Sequence, residues 1–264
     1  MKVSVITVCL CAEKSIEKTI LSVIAQDYAN IEYIIIDGAS TDGTMRIVEK
    51  YKPRIAAIVS EKDNGVFDAM NKGLKLASGD LICFLNADDA FYDERTVGAI
   101  AAEFHKSPEA DIVYGKLFFI NIPAGLHFDS DQYNKERKTK LDMRLWSMPH
   151  QASFAKKELF KSIGNFNPRH RRGADYDWFL RCHNAGVKMK FIDRYISFYS
   201  CAGLSSRDRY RQIPERVELA YKNSSLILFS AYAILALAKF IGGAFWEYIA
   251  GPIRKLLWRN TKAR

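Results

Sequence analysis

The chain has 264 residues, with 39 Lys/Arg, 30 Asp/Glu and a formal net charge of +9. Hydrophobic residues make up 48% and charged residues 26%, ordinary globular proportions that exclude a disordered, collagenous or bare membrane-bundle chain. The charge is unevenly spread: residues 1–120 carry 13 Lys/Arg against 18 Asp/Glu, and residues 121–264 carry 26 against 12. The net values are −5 and +14, and the basic half is either a solvated face or a surface for phosphate, nucleic acid or lipid.

Val3–Cys9 is a continuous apolar run, the pattern of a strand buried on both faces. It lacks a small-residue cleavage site and stops at Glu13 and Lys14, so it reads as a first strand and not a signal peptide. Residues 13–27 place Ile16, Ile20, Val23 and Ile24 at helical spacing. Residues 31–36 form a second apolar run, which ends at Asp37-Gly38. Thr41 and Asp42 predict a cap for a helix through Tyr51. Residues 55–59 predict a third strand, 64–77 a helix stopped by Gly79, and 81–85 a fourth strand ending at Asn86-Ala87-Asp88-Asp89. The second half is less regular. It predicts one or two strands over Ile112–Ile120, a mobile polar loop over 129–142 and a short strand over 151–155. A helix over 176–185 and a strand over 190–199 follow.

Strands alternating with helices imply a parallel, doubly wound α/β sheet, whose strand ends gather along one edge. Ligands bind outside that edge in open sheets of this kind. Glu13, Asp37 and the Asp88-Asp89 pair all fall there. The expected organisation is a domain over 1–206, in halves 1–120 and 121–206, and a separate region over 207–264. Five cysteines (Cys9, Cys11, Cys83, Cys182 and Cys201) form no C-x-x-C and are odd in number, which predicts free thiols in a reducing cytoplasm.

Three segments carry chemistry. On spacing alone, Asn86-Ala87-Asp88-Asp89 fits either a helix cap or a carboxylate pair holding Mg²⁺ or Mn²⁺ against a diphosphate. Asp37-Gly38-Ala39-Ser40-Thr41-Asp42-Gly43 fits either turn chemistry or an acceptor for the edge of a base. In Asp63-Asn64-Gly65-Val66-Phe67-Asp68, a glycine before a helix allows close approach of phosphate. Neither G-x-G-x-x-G nor a Walker loop occurs, which excludes support for dinucleotide cofactors and ATP hydrolysis.

Together these segments resemble glycosyltransferase family 2, inverting nucleotide-sugar transferases of the GT-A fold. The resemblance runs from Val3 to about Gly203. It is carried by V-S-V-I-T-V, Gln26, I-I-I-D-G-A-S-T-D-G-T, D-N-G-V-F-D-A-M-N-K-G-L-K-L-A-S-G-D and F-L-N-A-D-D. Within the family the chain looks most like the bacterial exopolysaccharide and O-antigen enzymes, including a colanic-acid-like branch. It implies a mostly parallel central sheet flanked by helices. The implied reaction is transfer of a sugar from a nucleotide-diphosphate sugar, with UDP expected, to a lipid-linked saccharide.

By position in the family's motifs, Asp37 reads uracil, Asp88 binds the metal and Asp89 lies beside it. Cys9, Leu10 and Glu13 line the nucleotide-sugar site after the first strand, with Leu10 standing where an aromatic often stacks on the base. Gly65, Asp68, Asn86 and Ala87 line it further along, and Asn86 replaces the first aspartate of the family's D-x-D. In Gly173-Ala174-Asp175-Tyr176-Asp177-Trp178, Asp175 occupies the position of the general base, and Ala174 stands where glutamate is common. Without the family, Asp175 reads as a helix N-cap, and Asp177 is the rival base. His150, in Met148-Pro149-His150-Gln151, touches diphosphate or acceptor on this reading, or is structural. Arg169, His170, Arg171 and Arg172 either clamp phosphates or form a solvated loop.

Residues 226–238 and 240–250 are apolar, interrupted by Lys239, which is short of a clean bilayer span of about 20 residues. They predict two amphipathic helices in the membrane interface, with Trp246, Tyr248 and Trp258 at headgroup level. Arg254, Lys255, Arg259, Lys262 and Arg264 would face anionic lipid, which places the protein on the cytoplasmic face of the inner membrane. The alternative is a helical hairpin packed on the domain or on a second subunit, as in a homo-oligomer. Two further readings compete with the transferase. A GT-A-like nucleotidyltransferase needs a glycine- and lysine-rich signature after the first strand, which residues 9–14 lack. A non-enzymatic basic module binding nucleic acid predicts no acidic edge. Nucleic acid is therefore not an expected partner.

Overall fold

The computed structural model describes residues 1–122, 134–136, 148–201, 215 and 218–219. Most of the loop expected over 129–142, and the helices and basic cluster expected over 226–264, lie outside the described residues.

Eight strands form one sheet: β1 (Val3–Cys9), β2 (Ile31–Asp37), β3 (Ala57–Ser60), β4 (Leu81–Phe84), β5 (Ala90–Phe91), β6 (Ile112–Ile120), β7 (Ser153–Lys156) and β8 (Met189–Ser200). The helices among the described residues include α1 (Ile16–Ile24), α2 (Thr44–Lys50), α3 (Val66–Leu76), α4 (Thr96–Lys106), α5 (Glu158–Ser162) and α6 (Ala174–Asn184). The strand order is β3-β2-β1-β4-β7-β6-β8-β5. The first four strands are parallel, as expected from their alternation with helices. β7 runs antiparallel to both β4 and β6, and β5 antiparallel to β8, so the whole sheet is mixed. Strand direction depends on partners far along the chain, which periodicity does not report.

The continuous apolar runs of β1, β2 and β4 are explained by burial on both faces. Ile6, Ile34, Ile36, Ile82 and Phe84 pack against α3, α5 and α6. Their alternate neighbours Val5, Ile35 and Cys83 pack with Ile16, Ile20, Val97, Ile100 and Phe104 of α1 and α4. Each such side chain contributes about 1.5–3 kcal/mol of hydrophobic stabilisation. Gly73 lets α3 lie close on β1, since a Cβ there would collide with Ile6 Cγ2. Gln26 joins the ends of two helices: its amide nitrogen donates to the Asp93 carbonyl at 2.7 Å, and its oxygen accepts from the Val97 amide at 2.9 Å. All five cysteines are free, four of them buried and Cys11 exposed.

The order in which successive strands are added reverses at the parallel β1–β4 pair. β2 and β3 lie on one side of β1 and β4 on the other, which opens a crevice at the strands' C-terminal ends. β7 enters the sheet from the same edge, because its register pairs Cys83 with Phe154 in antiparallel sense. The 3-10 turn His150–Ala152 immediately before β7 is therefore delivered to the edge where β4 ends.

At the opposite edge, Glu32 ties β1, β2 and the start of β4 together. Its carboxylate accepts from Lys2 Nζ at 2.7 Å, Ser4 Oγ at 2.5 Å, and the Ser78 hydroxyl and amide at 2.5 and 2.7 Å. Burial alone would raise its pKa, but these donors outweigh it and pull the carboxyl down to about 2. A depressed carboxylate adds stability above its unfolded pKa, and that stability is lost as pH falls toward the folded value. We expect Glu32→Gln to melt at a lower temperature than the parent at neutral pH. The difference should close as pH falls from about 4.5 to about 2. Thermal melts across that range check both points, and an unchanged melting temperature at neutral pH would refute them.

Candidate active site

Two groups of side chains line the crevice. The first lies at the ends of β1 and β2. Asp37 is fully buried, and its carboxylate accepts from the Ser40 amide at 3.0 Å, from the Ser40 hydroxyl, from Ser60 Oγ at 2.6 Å and from Cys9 Sγ at 3.6 Å. Four donors satisfy a charge that burial would otherwise make costly. Burial, and then the Asp37 charge, push the Cys9 thiol far up, so Cys9 is a neutral donor here. The turn after β2 is zipped to the loop after β1. The Cys11 amide donates to Ser40 Oγ at 2.7 Å, and the Ala12 amide to Thr44 Oγ1 at 2.7 Å. Glu13 closes the same zip, with its carboxylate on the Gly43 amide at 2.8 Å and its own amide on Asp42 at 3.2 Å. Cys11 and Ala39 both take left-handed backbone conformations, at φ 49° and 62°. Such strain is held in place only where the surroundings over-determine it. Leu10 stands out from this loop, 57% exposed.

Asp63 presses on the same turn: a Cβ on Gly38 would lie 2.5 Å from Asp63 Oδ2. The Gly65 amide donates to Asp63 Oδ1 at 2.8 Å, and the Asn64 amide to Asp68 Oδ2 at 3.0 Å. Gly65 adopts φ 117°, which a side chain would strain, and opens α3 with open space where a Cβ would lie. Asp68 thus faces its own helix start. Lys72, one turn further on, pairs with Glu61 at 2.8 Å, and that partner raises its pKa.

The second group gathers at the end of β4. The Asn86 amide nitrogen meets His150 Nε2 at 3.3 Å, and His150 Nδ1 meets Asp175 Oδ2 at 3.0 Å. With Asn86 donating, Nε2 accepts and Nδ1 carries the proton, so His150 donates to Asp175. Asp175 Oδ1 also accepts from the Tyr176 amide at 2.8 Å. Gly173, and not Asp175, is the N-cap of α6. Asp175 lies in the first turn of the helix. Two residues on, Asp177 points elsewhere: it pairs with Arg181 at 2.9 Å, and Arg181 is itself fixed by the carbonyls of Ile163 and Asn165 at 2.6 and 2.8 Å.

Asp88 and Asp89 differ in setting. Neither caps α4. The N-cap is Arg95, and Asp93 ahead of it accepts from the Arg95 amide at 3.0 Å and Thr96 Oγ1 at 3.1 Å. Asp88 is partly open; burial raises its pKa, and the nearby His150 opposes that. Asp89 is 2% exposed, with Oδ1 on the Ser200 amide of β8 at 3.0 Å. Its pKa is pushed up strongly, first by burial and then by the charge of Asp88, while the Asn86 and Gln151 amides pull the other way. Thr19 braces the turn by donating to the Asp89 carbonyl at 2.6 Å. Ala87 is buried beneath it.

Asn86 Oδ1 and Asp89 Oδ2 are buried and lack a hydrogen-bond partner among the described residues. Uncompensated oxygens beside a half-open carboxylate suit a hard cation, and an all-oxygen set suits Mg²⁺ or Mn²⁺. Among the described residues, no cluster of three or more His, Cys, Asp or Glu is arranged to hold a metal unaided. Asn86, Asp88 and Asp89 therefore fit a cation that takes further ligands from a substrate.

The structure links Asn86, His150 and Asp175 in one hydrogen-bonded chain and sets Asp88 near His150. It places Cys9, Leu10, Glu13, Asp37, Gly65 and Asp68 around the neighbouring turns. Sequence reasoning did not single out Ser40, Ser60 or Asp63, whose roles depend on the fold alone. The basic run before α6 is divided: His170 is buried and Arg169 and Arg171 are exposed. The backbone amides of Arg171, Arg172 and Gly173 are all taken by the carboxylate of Glu215.

Residues 4–164 match the family described as glycosyl transferase family 2. The chain is 33% identical over 192 residues to a PGL/p-HBAD biosynthesis glycosyltransferase of Mycobacterium bovis, covering 70% of this chain and 72% of the relative. Its fold is similar to that of TarS from S. aureus in complex with UDP, with a TM-score of 0.66 and 22% identity, over 93% of this chain and 72% of that one. It is also similar to the mannosyltransferase PcManGT of Pyrobaculum calidifontis in complex with GDP-Man and Mn²⁺. That likeness has a TM-score of 0.69 at 18% identity and covers 99% of this chain and 80% of the other. The mixed sheet with flanking helices is the GT-A fold, and the chain belongs to glycosyltransferase family 2.

Proposed function

We propose that this glycosyltransferase is an inverting, cation-dependent enzyme. On this reading it moves a sugar from a UDP-sugar to a hydroxyl of a lipid-linked saccharide in cell-surface polysaccharide synthesis. The observation that carries the reading is the convergence of Asp88, His150 and Asp175 at one strand edge, with His150 Nδ1 3.0 Å from Asp175 Oδ2. A leaving diphosphate needs positive charge, and an attacking hydroxyl needs a base. The edge offers a candidate for each.

The nucleotide lies over the zipped loops at the ends of β1 and β2. There Leu10 presents an apolar surface to the base, and the turn built on Asp37 supplies polar partners. Asn86, Asp88 and Asp89 would hold Mg²⁺ or Mn²⁺, which when bound supplies charge neutralisation for the diphosphate. Asp175 takes the proton of the acceptor hydroxyl. That oxygen attacks the anomeric carbon from the face opposite the diphosphate, the carbon–oxygen bond to phosphate breaks, and UDP leaves with the bonding pair. His150 keeps Asp175 oriented by donating one hydrogen bond, as the Tyr176 amide does with another. Asp177 is excluded by its pairing with Arg181. The basic, partly apolar region from 207 onward would hold the protein at the cytoplasmic face of the inner membrane, beside a lipid-linked acceptor.

Two experiments test this. Asp175→Asn should leave UDP affinity in Mn²⁺ within about threefold, and lower kcat by roughly 10²–10⁴-fold, the usual range for a general base. Substantial remaining transfer would move the base elsewhere. Asp88→Ala should abolish the Mn²⁺-dependent part of UDP binding, measured calorimetrically with and without the cation. In the parent, acidification should weaken that binding. Coordination needs the ionised carboxylate, and the raised pKa of Asp88 makes protonation begin above the usual carboxylate range. Binding indifferent to Mn²⁺ would refute the cation site.

A further inference from the structure

Glu215 lies in the C-terminal region, 42–44 residues beyond the turn that it touches. Its Oε1 accepts from the Arg171 amide at 3.2 Å, and its Oε2 from the Arg172 and Gly173 amides at 2.9 and 3.0 Å. Leu219, one helical turn later, is 2% exposed and belongs to the same core as Ala174, Tyr176 and Trp178. Residues i and i+4 share a helix face, so the carboxylate and the leucine bear on the turn together. A Cβ on Gly173 would lie 3.5 Å from Glu215 Oε2 and 3.6 Å from Leu219 Cδ1.

Between α5 and α6 the backbone makes no strand pairing. Its first part is tied by side chains: Asn71 takes the amide and carbonyl of Phe166 at 3.2 and 2.8 Å, and Arg181 and Trp178 take the carbonyls of Ile163, Asn165 and Gly164. In the last three residues before α6, the backbone amides go to Glu215. A carboxylate accepting three backbone donors makes charge-assisted bonds, stronger than those between neutral groups. It fixes the N-cap of α6, and Asp175 is two residues further on.

We propose that Glu215 is a positioning residue for the transfer reaction, holding the turn before α6 so that Asp175 stays in hydrogen-bond register with His150. The inference rests on the reading of Asp175 as the base. It makes the start of the C-terminal region part of the active-site scaffold. A brace of this kind acts on catalysis through geometry: small misplacements of a catalytic group cost turnover while leaving the nucleotide site intact.

The test uses the full chain with Glu215→Ala, Glu215→Gln and, in parallel, Asp175→Asn. Amide hydrogen exchange at residues 171–173 should accelerate in Glu215→Ala, with the amides of β1 and β4 unaffected. Turnover of whichever nucleotide sugar the parent uses should fall about tenfold or more, while UDP affinity in Mn²⁺ stays within about twofold. Glu215→Gln keeps a carbonyl acceptor at the same reach and should recover part of kcat. If Glu215→Ala does not fold, the glutamine variant decides by the same split. Parent-like kcat despite faster exchange reduces Glu215 to a structural contact and overturns the proposal, as does joint loss of UDP binding and turnover. Loss of turnover in Asp175→Asn beside parent-like Glu215→Ala sinks the brace alone. Retained turnover in Asp175→Asn sinks the base reading itself.

Discussion

The candidate site depends on one reversal of chain direction. β7 lies antiparallel beside β4, so the residues that precede it arrive at the edge where β4 ends. Had β7 run parallel, its four residues, at about 3.3 Å each, would have carried His150 about 13 Å to the opposite edge. No rotamer change bridges that distance to a hydrogen bond with Asn86 or Asp175. The parallel half of the sheet makes the crevice, and the antiparallel insertion of β7 furnishes it. Ser153 and Ser197 reinforce the placement, donating to the carbonyls of Pro149 and Gln151 at 2.7 and 2.8 Å and so fixing the His150–Ala152 turn from both ends.

The carboxylates at this edge are handled in three ways. Asp37 is fully buried but satisfied by four donors, so its charge is settled within the protein. Asp175 accepts from the His150 ring and from the Tyr176 amide at a helix start, and keeps further lone pairs beyond these two bonds. Asp88 and Asp89 are left in electrostatic conflict, adjacent and poorly solvated, with burial raising both pKa values. Adjacent carboxylates in a poorly solvated place call for a proton or a cation. The fold could have relieved the conflict with a lysine or arginine. Instead the neighbouring groups are the Asn86 and Gln151 amides and the His150 ring, which orient oxygens without permanently neutralising them. A site arranged in this way stays responsive to what binds in it.

The sequence makes local features legible and distant ones not. β1 and β2 were readable nearly to the residue, because burial on both faces writes an uninterrupted apolar run. α1 was readable from the spacing of Ile16, Ile20 and Val23, and α3 from the segment that Gly79 stops, although both helices are shorter than the ranges expected. The mixed sheet was not legible, since the direction of β7 is decided by pairing with residues of β4 71–75 positions away and of β6 39–43 positions away. Asn86 and Asp175 stood out individually, one by motif and one by resemblance. Nothing in their spacing says that His150 joins them. Glu215 had no signal at all: a lone glutamate near the start of a basic region looks like a solvated charge until the turn it holds is seen.

The choice between Asp175 and Asp177 follows from helix geometry. Successive residues on an α-helix are rotated by about 100°, so positions two apart face nearly opposite ways. Only one of the two acids can look into the crevice. α6 is oriented by its buried face, where Trp178 stacks on Phe160 at 4.5 Å and donates to the Gly164 carbonyl at 2.9 Å. With that face fixed, Asp177 meets Arg181, four residues on along the same side, and Asp175 meets His150. The ion pair and the candidate base are thus two outcomes of one packing decision. Asp175 reaches His150 because of the aromatic core beneath α6 and because the backbone ahead of it is held, and neither feature is part of any motif. A chain with the same acids but a differently packed Trp178 would carry the family's signature without its geometry.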